Sequence, residues 1–143
     1  MIKQNEPLAN HCTYRIGGPA RVLFSAADER EIIAGIEIAK ENRFKTMILG
    51  GGSNILFSDR GFDGLVLKLA NNFIKIAEEK EDRAVVLAGA GAPLAALVKF
   101  ALDNSLAGME WAAGIPGTAG GAIRGNAGAF GREIGASVLR VRA

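Results

Sequence analysis

Nine of the chain's 19 glycines (108, 114, 117, 120, 121, 125, 128, 131 and 135) fall within 28 residues. They do not recur at every third position, which excludes a collagen helix. They stand among apolar residues rather than among Ser and Gln, which argues against a flexible linker. Glycine-rich backbone inside a packed chain marks places where another segment or a ligand approaches the main chain closely. A second cluster, Gly50-Gly51-Gly52-Ser53-Asn54, sits earlier in the chain. The surroundings of these two clusters therefore decide most of what the protein can do.

The 143 residues suit one domain or two small ones, and 49% apolar content is enough for a real core. A net charge of +2 gives no electrostatic case for nucleic acid or for an anionic membrane. The single cysteine, Cys12, excludes an internal disulfide framework and fits a reducing, cytoplasmic setting. Met1–Pro7 is polar with no apolar run behind it, so no signal peptide is expected. One histidine, His11, beside one cysteine makes no metal site, and His11 reads as an ordinary surface residue near the amino terminus.

Arg21–Ser25 reads as a short strand, and Asp28 with Glu31 as the capped start of a helix reaching about Asn42. Ile32, Ile33, Ile36 and Ala39 would form its apolar face. Thr46–Leu49 reads as a second, more buried strand, parallel to the first in a βαβ unit. Ile55–Phe57 and Leu65–Leu69 read as further strands, the latter pair joined by a turn at Gly61–Gly64. Ile74–Glu78 and Arg83–Ala88 form a hairpin. Pro93 opens a helix whose stripe is Leu94, Leu97, Val98, Ala101 and Leu102. Trp111 is expected to pack with Met109, and Ser137–Arg142 to begin another strand. A composition shift near residue 71 divides the chain into 1–70 and 71–143.

The GGGSN segment follows a parallel strand at its carboxyl end, where open α/β sheets bind ligands. Its consecutive N–H groups suit a phosphate, the alternative being a tight turn that needs positive φ. It is not a P-loop, because Gly52 is followed by Ser53-Asn54 rather than Lys and Ser or Thr. In Gly114-Ile115-Pro116-Gly117-Thr118-Ala119-Gly120-Gly121, the amides of Gly117, Thr118, Gly120 and Gly121 can converge on one point; alternatively Gly120-Gly121 packs a helix closely on its neighbour. Two such loops suggest a long ligand carrying phosphates, such as a dinucleotide.

Taken with Thr13–Ala20 (TYRIGGPA), Ala88–Gly91 (AGAG) and Asn126–Gly131 (NAGAFG), these loops stand in the order and spacing of one family. The chain resembles the amino-terminal, FAD-binding part of the UDP-N-acetylenolpyruvoylglucosamine reductases. The resemblance implies an α+β fold of the vanillyl-alcohol-oxidase type: a small α/β subdomain, then an antiparallel sheet with helices. It implies FAD contacts at Leu49, Gly50, Gly51, Gly52, Ser53, Asn54 and Ile55, at Gly114, Ile115, Pro116, Gly117, Thr118, Gly120 and Gly121, and at Asn126, Ala127 and Gly128. It implies NADPH as hydride donor and a nucleotide-sugar enolpyruvyl ether as acceptor in peptidoglycan synthesis. Family members continue past residue 143, and the serine, arginine and glutamate that handle the proton are expected there. No catalytic residue is therefore assigned, and the chain by itself is expected to be inactive and to hold FAD weakly or not at all, with open sheet edges that invite self-association. The competing readings are an FAD module of another oxidoreductase of the same superfold and a non-catalytic nucleotide-binding domain.

Overall fold

The computed structural model describes residues 1–143, which divide into two compact units, Met1–Asn71 and Asn72–Ala143. The first unit contains β1 (Ile2–Pro7), β2 (Pro19–Ala26), α1 (Glu29–Glu41), β3 (Lys45–Leu49) and β4 (Phe62–Leu69). One sheet carries all four strands in the order β1-β2-β4-β3. β1 is antiparallel to β2, whereas β2 and β3 both run parallel to β4. The strands flanking α1 are thus parallel to each other, as the strand–helix–strand pattern requires, but β4 lies between them.

Insertion of β4 explains several departures from the sequence reading. As the central strand it is covered on both faces, and Leu65, Val66 and Leu67 are fully buried, a continuous apolar run of the kind doubly covered strands need. β3 is displaced to the edge, so of its residues only Leu49 is buried, not the whole strand. Both flanks of β4 being taken, Ile55–Phe57 finds no ladder and is irregular rather than a strand, although Phe57 still plugs the core. β4 also starts at Phe62 instead of Leu65. The tight turn is made by Gly61 alone, at φ +75°, and Gly64 pairs with Lys45 inside the ladder.

Asp28 caps α1 by accepting from the Glu31 N–H at 2.9 Å, and the Glu31 carboxylate accepts from the Ala27 N–H. The helix face is the expected one only at Ile32 and Ala39. Ile33 and Ile36 are 49% and 37% exposed, while Ile32, Gly35, Ile38 and Ala39 face the sheet. Gly35 lets the helix approach, since a Cβ there would stand 2.8 Å from Leu67 Cδ1. A count of large apolar residues overlooks this small-residue row. The opposite sheet face is closed by the 3₁₀ turn Leu8–His11 and by Phe57, over Leu8, Cys12, Ala20, Leu23, Leu49 and Val66. Leu67→Ala is expected to cost about 2–5 kcal/mol and Ile33→Ala less than about 0.5, measured by urea unfolding. Equal losses would mean that the helix face is misassigned.

The second unit opens with the antiparallel hairpin β5 (Ile74–Glu79) and β6 (Ala84–Ala88). Then come α2 (Leu94–Asp103), a 3₁₀ turn at Glu110–Ala112, α3 (Ala119–Gly125), and the short hairpin β7 (Gly128–Ala129) and β8 (Arg132–Glu133). Pro93 is the N-cap of α2 rather than its first residue. Leu94, Trp111, Ala112, Ala122 and Ile134 form the core, with Leu97, Val98 and Met109 packed against it. Leu102 leaves the expected stripe and is 76% exposed. Ser137 ends a 3₁₀ turn, and Val138–Ala143 form no strand, contrary to expectation; no sheet edge arises there. No helix is long and apolar enough to cross a membrane.

Candidate functional site

In the first unit, Leu49 ends β3 buried in the core, and the chain turns out into Gly50–Asn54. Gly52 fixes this loop. It has φ +69° and is buried against the backbone that follows the Leu8–His11 turn. A Cβ at Gly52 would lie 2.0 Å from the His11 carbonyl oxygen and 2.8 Å from Cys12 Cα. The Thr13 N–H donates to the Gly52 carbonyl at 3.1 Å, clamping the loop from the other side. The carbonyl is used, but the N–H groups of Gly51, Gly52, Ser53 and Asn54 donate to nothing within the protein. Four neighbouring donors left without protein acceptors, with no carboxylate among them, have the chemistry that suits an anion such as a pyrophosphate.

The surroundings of the loop hold a polar network that sequence reasoning missed. His11 is not an ordinary surface residue: its side chain is 12% exposed, with Nε2 2.9 Å from Glu6 Oε1 and Nδ1 3.0 Å from Lys68 Nζ. Lys3 also donates to Glu6 Oε1, at 3.0 Å. Local pattern could not reveal this network, because Lys68 lies 57 residues from His11. The hydrogen bond from His11, followed by that from Lys3, holds the Glu6 carboxyl below the usual carboxylate range. In mild acid the unfolded chain therefore binds more protons than the folded one. The stabilisation from Glu6 is fully present above the unfolded carboxylate's range and is lost as pH falls through the lowered folded value. Glu6→Gln should make acid unfolding, followed by circular dichroism, less steep; an unchanged slope would count against this role.

In the second unit the Gly114–Gly121 loop is only partly available. Gly114 and Gly117 have φ of +86° and +119°, and Ile115 packs toward the Trp111 cluster. The Ile115 N–H donates to the Ala112 carbonyl, and Pro116 has none to give. The expected convergence of Gly120 and Gly121 does not occur. The Gly120 N–H donates to the Ala90 carbonyl at 2.9 Å, and the Gly121 N–H to Thr118 Oγ1 at 3.3 Å. A Cβ on Gly120 would stand 2.7 Å from Ala90 Cβ, so this glycine serves close packing on the AGAG turn. Thr118 is buried and caps α3. The N–H groups of Gly114, Gly117 and Thr118 remain free of protein acceptors.

Asn126 terminates α3 in the left-handed region at φ +46°. Its Nδ2 donates to Glu133 Oε2 at 2.7 Å, and its Oδ1 accepts from the Gly135 N–H at 3.1 Å. The Ala127 N–H and carbonyl bond to Ala122 and Ile134, and Gly128 pairs with Glu133, where a Cβ would stand 2.6 Å from the Arg132 carbonyl. This segment is thus committed to the hairpin. Glu110 is likewise occupied: its carboxylate accepts from the Gly108 N–H, and hydrogen bonds from its own N–H and that of Gly108 hold it below the usual range.

Comparison with known proteins decides what such loops belong to. The family described as FAD binding domain matches residues 20–143. The chain belongs to that family. It is 40% identical to UDP-N-acetylenolpyruvoylglucosamine reductase of Solibacter usitatus over 141 residues, covering 99% of this chain and 44% of the relative. The same-named protein of Desulforamulus reducens is 44% identical over 129 residues, 90% of this chain and 42% of the relative. Among solved structures, UDP-N-acetylenolpyruvylglucosamine reductase (MurB) from Thermus caldophilus superposes with a TM-score of 0.73 at 30% identity, over 94% of this chain and 46% of that one. The chain spans less than half the length of these relatives. Its fold is the α+β FAD-binding fold expected from the sequence.

Proposed function

We propose that this chain is the FAD-binding portion of a UDP-N-acetylenolpyruvoylglucosamine reductase, acting in the cytoplasm on a nucleotide sugar with NADPH as reductant. The observation that carries the reading is identity of about 40% along nearly the whole chain to reductases of that name. Bound FAD would supply the hydride chemistry. The free amides of Gly51, Gly52, Ser53 and Asn54 would donate to its pyrophosphate, with Leu49, Gly50 and Ile55 holding the loop's ends. Gly114, Gly117 and Thr118 would contribute a second set of donors, held in shape by Ile115, Pro116, Gly120 and Gly121. Asn126, Ala127 and Gly128 would act by fixing their hairpin rather than by donating.

These backbone donors bind an anion without bringing a mobile cation, so their geometry is set before the ligand arrives and little ordering is required on binding. The experiment titrates the purified chain with FAD and follows flavin fluorescence, with ADP as competitor. Saturable binding at one FAD per chain, displaced by ADP, is expected. The full gene product should oxidise NADPH only when an enolpyruvyl nucleotide sugar is supplied. Oxidation driven by a different acceptor would instead favour another oxidoreductase of the same fold.

A further inference from the structure

We propose that His11 is a proton-sensitive positioning residue for the Gly50–Asn54 loop: its neutral ring, held between Glu6 and Lys68, keeps the loop in its anion-binding form, and protonation of the ring loosens it. The inference rests on the flavin reading for the identity of the ligand, but its geometry stands apart from that reading. Lys68 carries only donors, so the 3.0 Å contact requires an unprotonated His11 Nδ1 as acceptor. Nε2 then carries the hydrogen and donates to Glu6. Protonation at Nδ1 would bring an imidazolium against an ammonium at that distance, and the bond to β4 would be lost while the bond to β1 survived.

That loss bears on the loop from two directions. The carbonyl of His11 is the surface on which Gly52 rests, and Thr13, two residues on, bonds the Gly52 carbonyl. Lys68 is the register partner of Leu49, the last strand residue before the loop. The His11–Lys68 bond therefore ties the loop's support to the strand from which the loop emerges. The charged groups around the ring are few. β1 brings Lys3 and Glu6, and β4 brings Lys68. Arg21 of β2 is instead paired with Asp63, and Arg15 lines a surface cavity with Ala9, Asn10 and Cys12. The glycine loop has no ionisable side chain. Glu6 is held below the usual carboxylate range, so its own protonation does not supply the response in mild acid.

The test measures FAD affinity of the native chain, His11→Gln and Lys68→Met across roughly pH 8 to 5.5, the range where histidine changes charge. Native affinity should fall about tenfold, a usual size for coupling between sites, while both variants show a flat profile. Glutamine can donate to Glu6 and accept from Lys68, so His11→Gln should keep the high-pH affinity. Lys68→Met removes the ammonium that protonation would repel and serves if His11→Gln does not fold. In parallel, hydrogen exchange at the Thr13 amide, corrected for intrinsic rates, should lose protection in acid in the native chain only. Parallel pH profiles in native and variant proteins, or constant Thr13 protection, would overturn the proposal. Absence of FAD binding at every pH would sink the flavin reading alone, since Thr13 protection still decides the role of His11.

Discussion

Gly52→Ala is expected to destabilise the first unit by roughly 3 kcal/mol or more, among the largest effects a single added methyl can have. Two penalties act together. At φ +69° an alanine side chain is strained by its own backbone. Its Cβ would also stand 2.0 Å from the His11 carbonyl oxygen, far inside contact distance; the oxygen is backbone and the Cβ is fixed by its own backbone, so neither can swing aside. Relief requires separating the loop from the Leu8–His11 turn, which covers one face of the sheet. For a unit of this size the melting temperature should drop by roughly 10 °C or more. A change of only a degree or two would show that the loop is not seated as described.

Gly51→Asp should do the opposite: lower FAD affinity roughly a hundredfold and leave the melting temperature within a few degrees. Gly51 is exposed and does not occupy the left-handed region, so its backbone conformation does not oppose a side chain. A carboxylate placed about 5 Å from a pyrophosphate charge at a half-buried surface costs about 3 kcal/mol. Flavin absorbance per chain and thermal melting separate the two quantities. Full flavin loading would remove Gly51 from the binding loop. Gly117→Asp cannot make the same separation, because Gly117 sits at φ +119° and its replacement strains the fold as well as the loop.

The contrast between these neighbouring glycines shows what a motif leaves open. GGGSN by itself reads equally as a phosphate nest and as a turn that needs positive φ, and its place after a strand favours the phosphate. The turn reading holds for Gly52, which is there for its φ and its packing, while the amides around it stay free of protein acceptors, as the proposed phosphate nest needs. In the second cluster the balance moves toward packing, since Gly120 and Asn126 spend their polar groups inside the protein.

Periodicity and caps in the sequence determined the elements whose signals are local: α1 with its Asp28 cap, the β5–β6 hairpin, α2, the parallel relation of β2 and β3, and family membership through five motifs in register. Tertiary structure alone decided the rest. β1 is a polar segment with no alternating pattern, and it is a strand only because β2 offers it an edge. The placing of β4 between β2 and β3 exposed one strand and denied another its ladder, a choice settled by which apolar run is buried on both faces. The Glu6–His11–Lys68 network exists because β1, the Leu8–His11 turn and β4 meet in space. Each of these depends on which distant backbone donors, acceptors and apolar surfaces become neighbours, and that information is carried by the packed chain as a whole rather than by any window of its sequence.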